Sequence, residues 1–188
     1  MPEPRNALGG AAYDGLVRIA ESPPRGMITL RAELADAAVA QAVKRATGLT
    51  PPAQRRIVRK GDVALAWMSP DELLILTPHG GAETLRSALE TALAGRHHLA
   101  ADVSDARALF TLEGARVREV LAKLTPADLS PRGLAPDEVR RTRLAQVAAA
   151  FWQDAPDAFS LVCFRSQAAY GFALLKNAAR PGSEVTCP

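Results

Sequence analysis

Three histidines and two cysteines are the residues of this chain best suited to acid–base, nucleophilic or metal chemistry. Their spacing argues against each use. His97 and His98 are adjacent, and neighbours on a strand point to opposite faces, so the pair cannot share one metal without unusual backbone geometry. His79 lies in Thr77-Pro-His-Gly-Gly81, a strand-to-helix loop, with no nucleophile nearby in sequence for it to activate. Gly80-Gly81 can offer helix amides to a phosphate, yet it lacks the Gly-x-Gly-x-x-Gly spacing and the Lys-Ser/Thr of a P-loop. A flexible start to a helix is the plainer reading. Cys163, inside Phe159-Ser-Leu-Val-Cys-Phe164, reads as a buried small hydrophobe; Cys187, next to the last residue, is expected to be mobile. There is no Gly-x-Ser-x-Gly elbow and no metal-ligand cysteine spacing. The expectation is no catalytic residue, no metal site and no cofactor box on this chain.

Two polar groups carry more information. In Trp67-Met-Ser-Pro-Asp-Glu-Leu-Leu-Ile-Leu76 an aromatic ends one strand, a turn follows, and an apolar strand begins. Asp71 is expected to cap that turn by bonding to amides two residues on; Trp67 beside Asp71 and Glu72 is a candidate ligand or partner surface. In Asp102-Val-Ser-Asp-Ala-Arg107, strand geometry puts Asp102 and Ser104 on one face. Arg107 can return to either aspartate and lock the crossing between two halves of the chain.

The elements that must position these groups follow from periodicity. Met27–Arg31 reads as a strand, and residues 35–47 as a helix with Val39, Val43 and Ala46 on one face and Gly48 as its stop. Arg55–Lys60 and Val63–Met68 read as a hairpin turning at Gly61-Asp62. Leu73–Leu76 is a strand, and Gly81–Ala94 a helix ended by Gly95. The order then recurs. Leu109–Leu112 is a strand, Gly114–Lys123 a helix, Leu144–Trp152 and Phe159–Phe164 strands, and Gln167–Ala179 a helix with Ser166 as cap. Within Val63–Trp67, period-two alternation should bury Val63, Leu65 and Trp67 together.

A strand-helix-strand-strand-helix unit used twice is a duplicated α+β design, with Leu99–Val103 as a bridging strand. Residues 1–25, with four prolines and three glycines, read as an N-terminal arm. Residues 26–179 read as a single α+β domain of two pseudo-repeats, 26–95 and 107–179, and residues 180–188 as a C-terminal tail. Hydrophobic residues make up 48% of the 188 and charged residues 23%, which excludes wholesale disorder. The basic clusters at Arg55, Arg56, Arg59 and Lys60 and at Arg140, Arg141 and Arg143 contain no stacking aromatic, so they read as solvated strand edges rather than a nucleic-acid surface. The amino end has no basic region followed by an apolar one, and no apolar run nears the ~18 residues of a membrane span. No signal peptide, no membrane contact and a cytoplasmic location are expected.

The two polar groups, with Leu112-x-Gly114, Val120-Leu-Ala-Lys123, Asp128-Leu129 and Arg165-Ser166 before Tyr170 and Leu174-Leu175, resemble the gamma subunits of heterotetrameric sarcosine oxidase over about residues 60–178. The resemblance implies a fold like the folate-binding domain of aminomethyltransferase. It implies a non-catalytic subunit packing on alpha and beta subunits, with delta as a third partner. The holoenzyme so implied demethylates sarcosine oxidatively and passes the one-carbon unit to tetrahydrofolate. FAD, FMN and NAD lie on alpha and beta, and zinc on delta. Candidate binding residues, toward a partner or folate, are Trp67, Asp71, Asp102, Arg107 and Arg165. The alternative is a free-standing folate-binding or one-carbon-transfer protein. A related folate-dependent group carries Lys-Gly-Cys-Tyr-x-Gly-Gln-Glu; Val162-Cys-Phe-Arg-Ser166 lacks that context.

Overall fold

The computed structural model describes residues 5–185. Two short strands, β1 (Ala12–Asp14) and β2 (Arg18–Glu21), precede the first repeat. That repeat comprises β3 (Arg25–Ala32), α1 (Ala37–Thr47), β4 (Ile57–Lys60), β5 (Val63–Ser69), β6 (Glu72–Pro78) and α2 (Ala82–Ala92), followed by β7 (His98–Asp102). The second has β8 (Arg107–Glu113), α3 (Val117–Ala122), β9 (Val139–Leu144), β10 (Val147–Ala155), β11 (Ala158–Phe164) and α4 (Ala168–Ala178).

Residues 24–105 form one compact unit; the described residues up to Pro23 and those from Ala106 form the other. The first has a five-stranded sheet in the order β4-β5-β6-β3-β7, and the second a six-stranded sheet in the order β1-β2-β8-β11-β10-β9. Read from β9 inward, the second order repeats the first: β9, β10, β11 and β8 take the places of β4, β5, β6 and β3. The duplication expected from periodicity is therefore present in the strand order. The fifth place is filled differently. β7 follows the last helix of its repeat, whereas β2 arrives from the chain's beginning, pairing antiparallel with β8 from Arg18↔Glu113 to Glu21↔Phe110.

This corrects the reading of residues 1–25 as an arm. Val17 and Ile19 are buried in the core with Phe110, Leu112, Phe151, Leu161 and Leu175. The apolar patch is short and interrupted by Arg18, so it lacks the run length that marks a strand; its partner lies about ninety residues away. The tail is also tied down as far as it is described. Lys123 Nζ donates to the carbonyls of Ala178 (3.0 Å) and Ser183 (2.5 Å), and Val185 N donates to Glu119 Oε1 (2.8 Å). Met1–Pro4 and Thr186–Pro188, including Cys187, lie outside the described residues.

Local signals account for most boundaries. Asp36 Oδ1 accepts from Ala38 N at 2.8 Å and caps α1; Gly48, at φ +72°, ends it in the left-handed conformation that favours glycine. The β4–β5 hairpin closes at Lys60↔Val63 around Gly61-Asp62, as expected. Two boundaries differ. The stretch read as one strand over Leu144–Trp152 is the far half of a hairpin: β9 turns at Ala145-Gln146, with Leu144 opposite Val147. Ala145 takes φ +52° without being glycine or asparagine, so no turn residue announces it. Ser166 does not cap α4; a one-turn 3-10 helix, Arg165–Gln167, leads into it instead.

Glu21 shows how the N-terminal segment is held. Its buried carboxylate accepts from Leu8 N (3.1 and 3.0 Å) and Gly10 N (2.9 Å). Glu21→Ala should lower stability by about 2–3 kcal/mol, because it strands two amides bonded to a charged group. Urea unfolding measures the loss, and faster proteolytic clipping before residue 12 should accompany it.

Candidate functional site

The polar residues singled out by type are brought into tight local structures. β5 and β6 pair with an irregularity between Trp67 and Ser69, so Trp67 faces Leu73 and Ser69 faces Glu72. That bulge aims the turn residues. Ser69 Oγ donates to Asp71 Oδ1 at 2.5 Å, and Arg31 spans the turn, donating to Asp71 Oδ2 (2.7 Å) and Glu72 Oε2 (3.0 Å). The Ser69 hydroxyl first, and Arg31 after it, hold the Asp71 carboxyl below its usual range. The turn is set by this side-chain pair, with Asp71 as acceptor from Ser69 rather than from amides two residues on. Glu72 is buried; Arg31, on β3, lies forty residues away in sequence, which is why spacing alone did not select it.

Trp67 is half-buried and packs, with Val63, against the core formed by Leu65, Leu73, Ile75 and Leu89. Val63, Leu65 and Trp67 therefore share a face, as their alternation required. Trp67 belongs to the rim of that core.

Asp102 ends β7, and Ser104 opens a one-turn 3-10 helix rather than continuing the strand. The two meet through the turn: Ser104 N (2.9 Å) and Ser104 Oγ (2.5 Å) both donate to Asp102 Oδ1. The same hydroxyl accepts from Met27 N at 2.9 Å and so fixes the start of β3. In the other unit the Arg107 guanidinium carbon lies 4.0 Å from the Phe164 ring centre. Arg165 donates to the Asn6 carbonyl at 3.2 Å, joining the N-terminal segment to the turn before α4. Trp67, Asp71 and Asp102 thus fall in one unit and Arg107 and Arg165 in the other.

The histidines are also placed. His79 is half-buried in a 3-10 turn, His97 is exposed, and His98 has Nδ1 2.9 Å from the Arg96 carbonyl and Nε2 3.1 Å from Glu90 Oε2. Among the described residues no group of three His, Cys, Asp or Glu is arranged to hold a metal ion. Cys163 is buried in the second core, and burial pushes its thiol up to about 11. A thiol so held is a poor nucleophile.

An unforeseen centre is Arg118 on α3. Its guanidinium donates to the carbonyls of Leu129 (2.6 Å) and Leu134 (3.1 Å) and to Gln153 Oε1 (2.9 Å), and lies over the Phe159 ring. It organises the long connection from α3 to β9.

Two outcomes are expected. Trp67→Ala should cost about 3 kcal/mol in urea unfolding, the low end for a large aromatic because one side is solvated. Cys163 should resist thiol reagents at pH 8 in the native state and react on unfolding. With the folded value raised, its contribution to stability is complete below the unfolded thiol value and fades as pH climbs through about 11. Cys163→Ser should remove that alkaline step from a stability–pH profile.

Comparison with known proteins follows this geometry. A family model described as sarcosine oxidase, gamma subunit family, matches residues 31–181. A sarcosine oxidase subunit gamma from Corynebacterium sp. (strain P-1) is 36% identical over 120 residues, 62% of this chain and 56% of that protein. The matched stretches span about half the length of the curated relatives. Among solved structures, heterotetrameric sarcosine oxidase from Corynebacterium sp. U-96 in complex with pyrrole 2-carboxylate contains a chain that superposes with TM-score 0.81 at 25% identity, over 92% of this chain and 88% of that one. Glycine cleavage system aminomethyltransferase T from Bartonella henselae gives TM-score 0.59 at 15% identity, over 82% of this chain and 44% of that one, a likeness of fold.

Proposed function

This chain belongs to the sarcosine oxidase gamma subunit family, and we propose that it is a non-catalytic subunit of a heterotetrameric sarcosine oxidase, packed on the alpha and beta subunits with delta as a further partner. In that assembly sarcosine is demethylated oxidatively to glycine, and its one-carbon unit passes to tetrahydrofolate. FAD, FMN and NAD belong to the alpha and beta subunits, zinc to delta, and the complex to the cytoplasm.

One observation supports the non-catalytic reading: the polar side chains singled out in the sequence bond within their own chain. Ser69, Asp71 and Arg31 brace one turn, and Asp102 and Ser104 brace another. Side chains committed to internal bonds stiffen a surface and leave little to polarise a substrate. The residues present do not fit folate as a pteridine clamp, since Trp67 lays one side against the core and Asp71 faces Arg31. No step is assigned to this chain through that group. Its contribution is a rigid surface.

Purified alone, the protein should be colourless, and tetrahydrofolate should not quench its tryptophan fluorescence saturably. Co-expressed with alpha, beta and delta chains, it should co-purify in fixed ratio. A stoichiometric flavin spectrum would overturn this reading. Saturable quenching that disappears in folded Trp67→Ala would favour a folate-binding protein instead, with Trp152 as the internal fluorescence reference.

A further inference from the structure

The unit that contains β8 is built from both ends of the chain, and its N-terminal share hangs from a single connection. β1 and β2 pair with each other at Ala12↔Ala20, Tyr13↔Ile19 and Asp14↔Arg18, and β2 in turn lies against β8. Ser22-Pro23-Pro24 joins β2 to β3; both prolines are exposed, and the boundary between the units falls between them. A proline has no N–H, so the β2 ladder stops at this linker. Residues 5–21 can therefore lift from β8 without any other strand being unthreaded.

Bonds within the segment make it one piece. Glu21 N donates to the Ala11 carbonyl at 2.8 Å, the Glu21 carboxylate binds the amides of Leu8 and Gly10, and Asn6 Nδ2 donates to the Ser22 carbonyl at 3.2 Å. Its anchors are separate from these. Val17 and Ile19 enter the core, Ser22 N donates to the Leu109 carbonyl (2.8 Å), and Leu16 N donates to the Ala179 carbonyl at the end of α4 (2.7 Å). The closest approach is at Gly15. A side-chain carbon there would run into the Ala179 carbonyl and lie 2.7 Å from Tyr13 Cε1, so the segment crosses the end of α4 where only glycine fits.

We propose that residues 5–21 form a strap that opens and closes as one piece on β8, separately from the unfolding of β8–β11, and that the closed strap guards the β8 edge. Val17 and Ile19 are a small share of a core that also holds Phe110, Phe151, Phe159, Leu161 and Leu175. Lifting the strap uncovers far less apolar surface than unfolding the unit, and so costs less. β8 keeps β11 on its other side and stays in the sheet. What opening bares is the row of main-chain groups along Phe110–Glu113, a template on which a strand of another molecule can pair.

The test is native-state hydrogen exchange on the full chain across low urea concentrations. Amides bonded in the β1–β2 and β2–β8 ladders should exchange together, faster than those of the β10–β11 ladder. Their rates should rise only shallowly with urea, because the urea slope scales with the surface an opening exposes. In Gly15→Ala the same amides should exchange about tenfold faster or more, the slope remaining shallow. Sedimentation velocity of that variant should show concentration-dependent association that wild type lacks. If Gly15→Ala yields no folded protein, Glu21→Gln takes its place with the same expected pattern. Strap amides that match the β10–β11 ladder in both rate and urea slope overturn the separate opening. β1 amides that exchange at a rate different from those of β2 overturn the single piece. A loosened variant that stays monomeric at every concentration overturns the guarding of β8.

Discussion

In each repeat the first strand sits inside the sheet, and it needs a neighbour that its own repeat does not supply. β6 covers one edge of β3 and β11 one edge of β8. The second edge of β3 goes to β7, and that of β8 to β2, drawn from the opposite end of the chain. An interior apolar strand such as Leu109–Leu112 left open on one side would be a template for pairing with other chains. Much of the second unit depends on meeting this demand. It turns residues 12–21 from an arm into sheet, places Glu21 to bind the amides of Leu8 and Gly10, and brings Asn6 to Arg165.

The same economy appears in the polar motifs. A serine, an aspartate and an arginine brought close are the ingredients of a catalytic site, and here they brace turns. Ser69 and Asp71 stiffen the bulged β5–β6 connection, and Asp102 and Ser104 close the link between β7 and β3. Arg118 does so on a larger scale, its forked guanidinium satisfying carbonyls of a long connection that has no ladder to bond to. Such internal satisfaction stabilises the fold, because a buried polar group without a partner costs stability. The aminomethyltransferase-like fold is thus kept while its polar groups serve the scaffold.

Both basic clusters lie where edge strands need them, on β4 and β9, the terminal strands at equivalent places in the two sheets. They are not equivalent in setting. Arg140 turns back to the Gly133 carbonyl and to Glu138, within its own connection. The β4 cluster instead lies beside the end of α1, where Lys60 approaches the Gly48 cap.

By itself the sequence determined what depends on neighbours a few residues apart. The 3.6-residue spacing of Val39 and Val43, the Asp36 and Gly48 caps, and the Gly61-Asp62 turn all act over one or two turns of chain. So α1, the β4–β5 hairpin and the strand-helix order of the first repeat were legible, and with them the fold class. Alternation likewise placed Trp67 against the core. What only the tertiary structure decided rests on partners far away. β2 is a strand because β8 is beside it, and β9 was hidden because Ala145 turns the chain with a positive φ that no turn residue signals. Arg31 and Arg118 matter because of acceptors eleven to forty-one residues distant. Hydrogen bonds formed across such distances depend on which strands pair, and pairing is settled by burying the apolar faces of whole sheets, a sum over the chain that no local spacing contains.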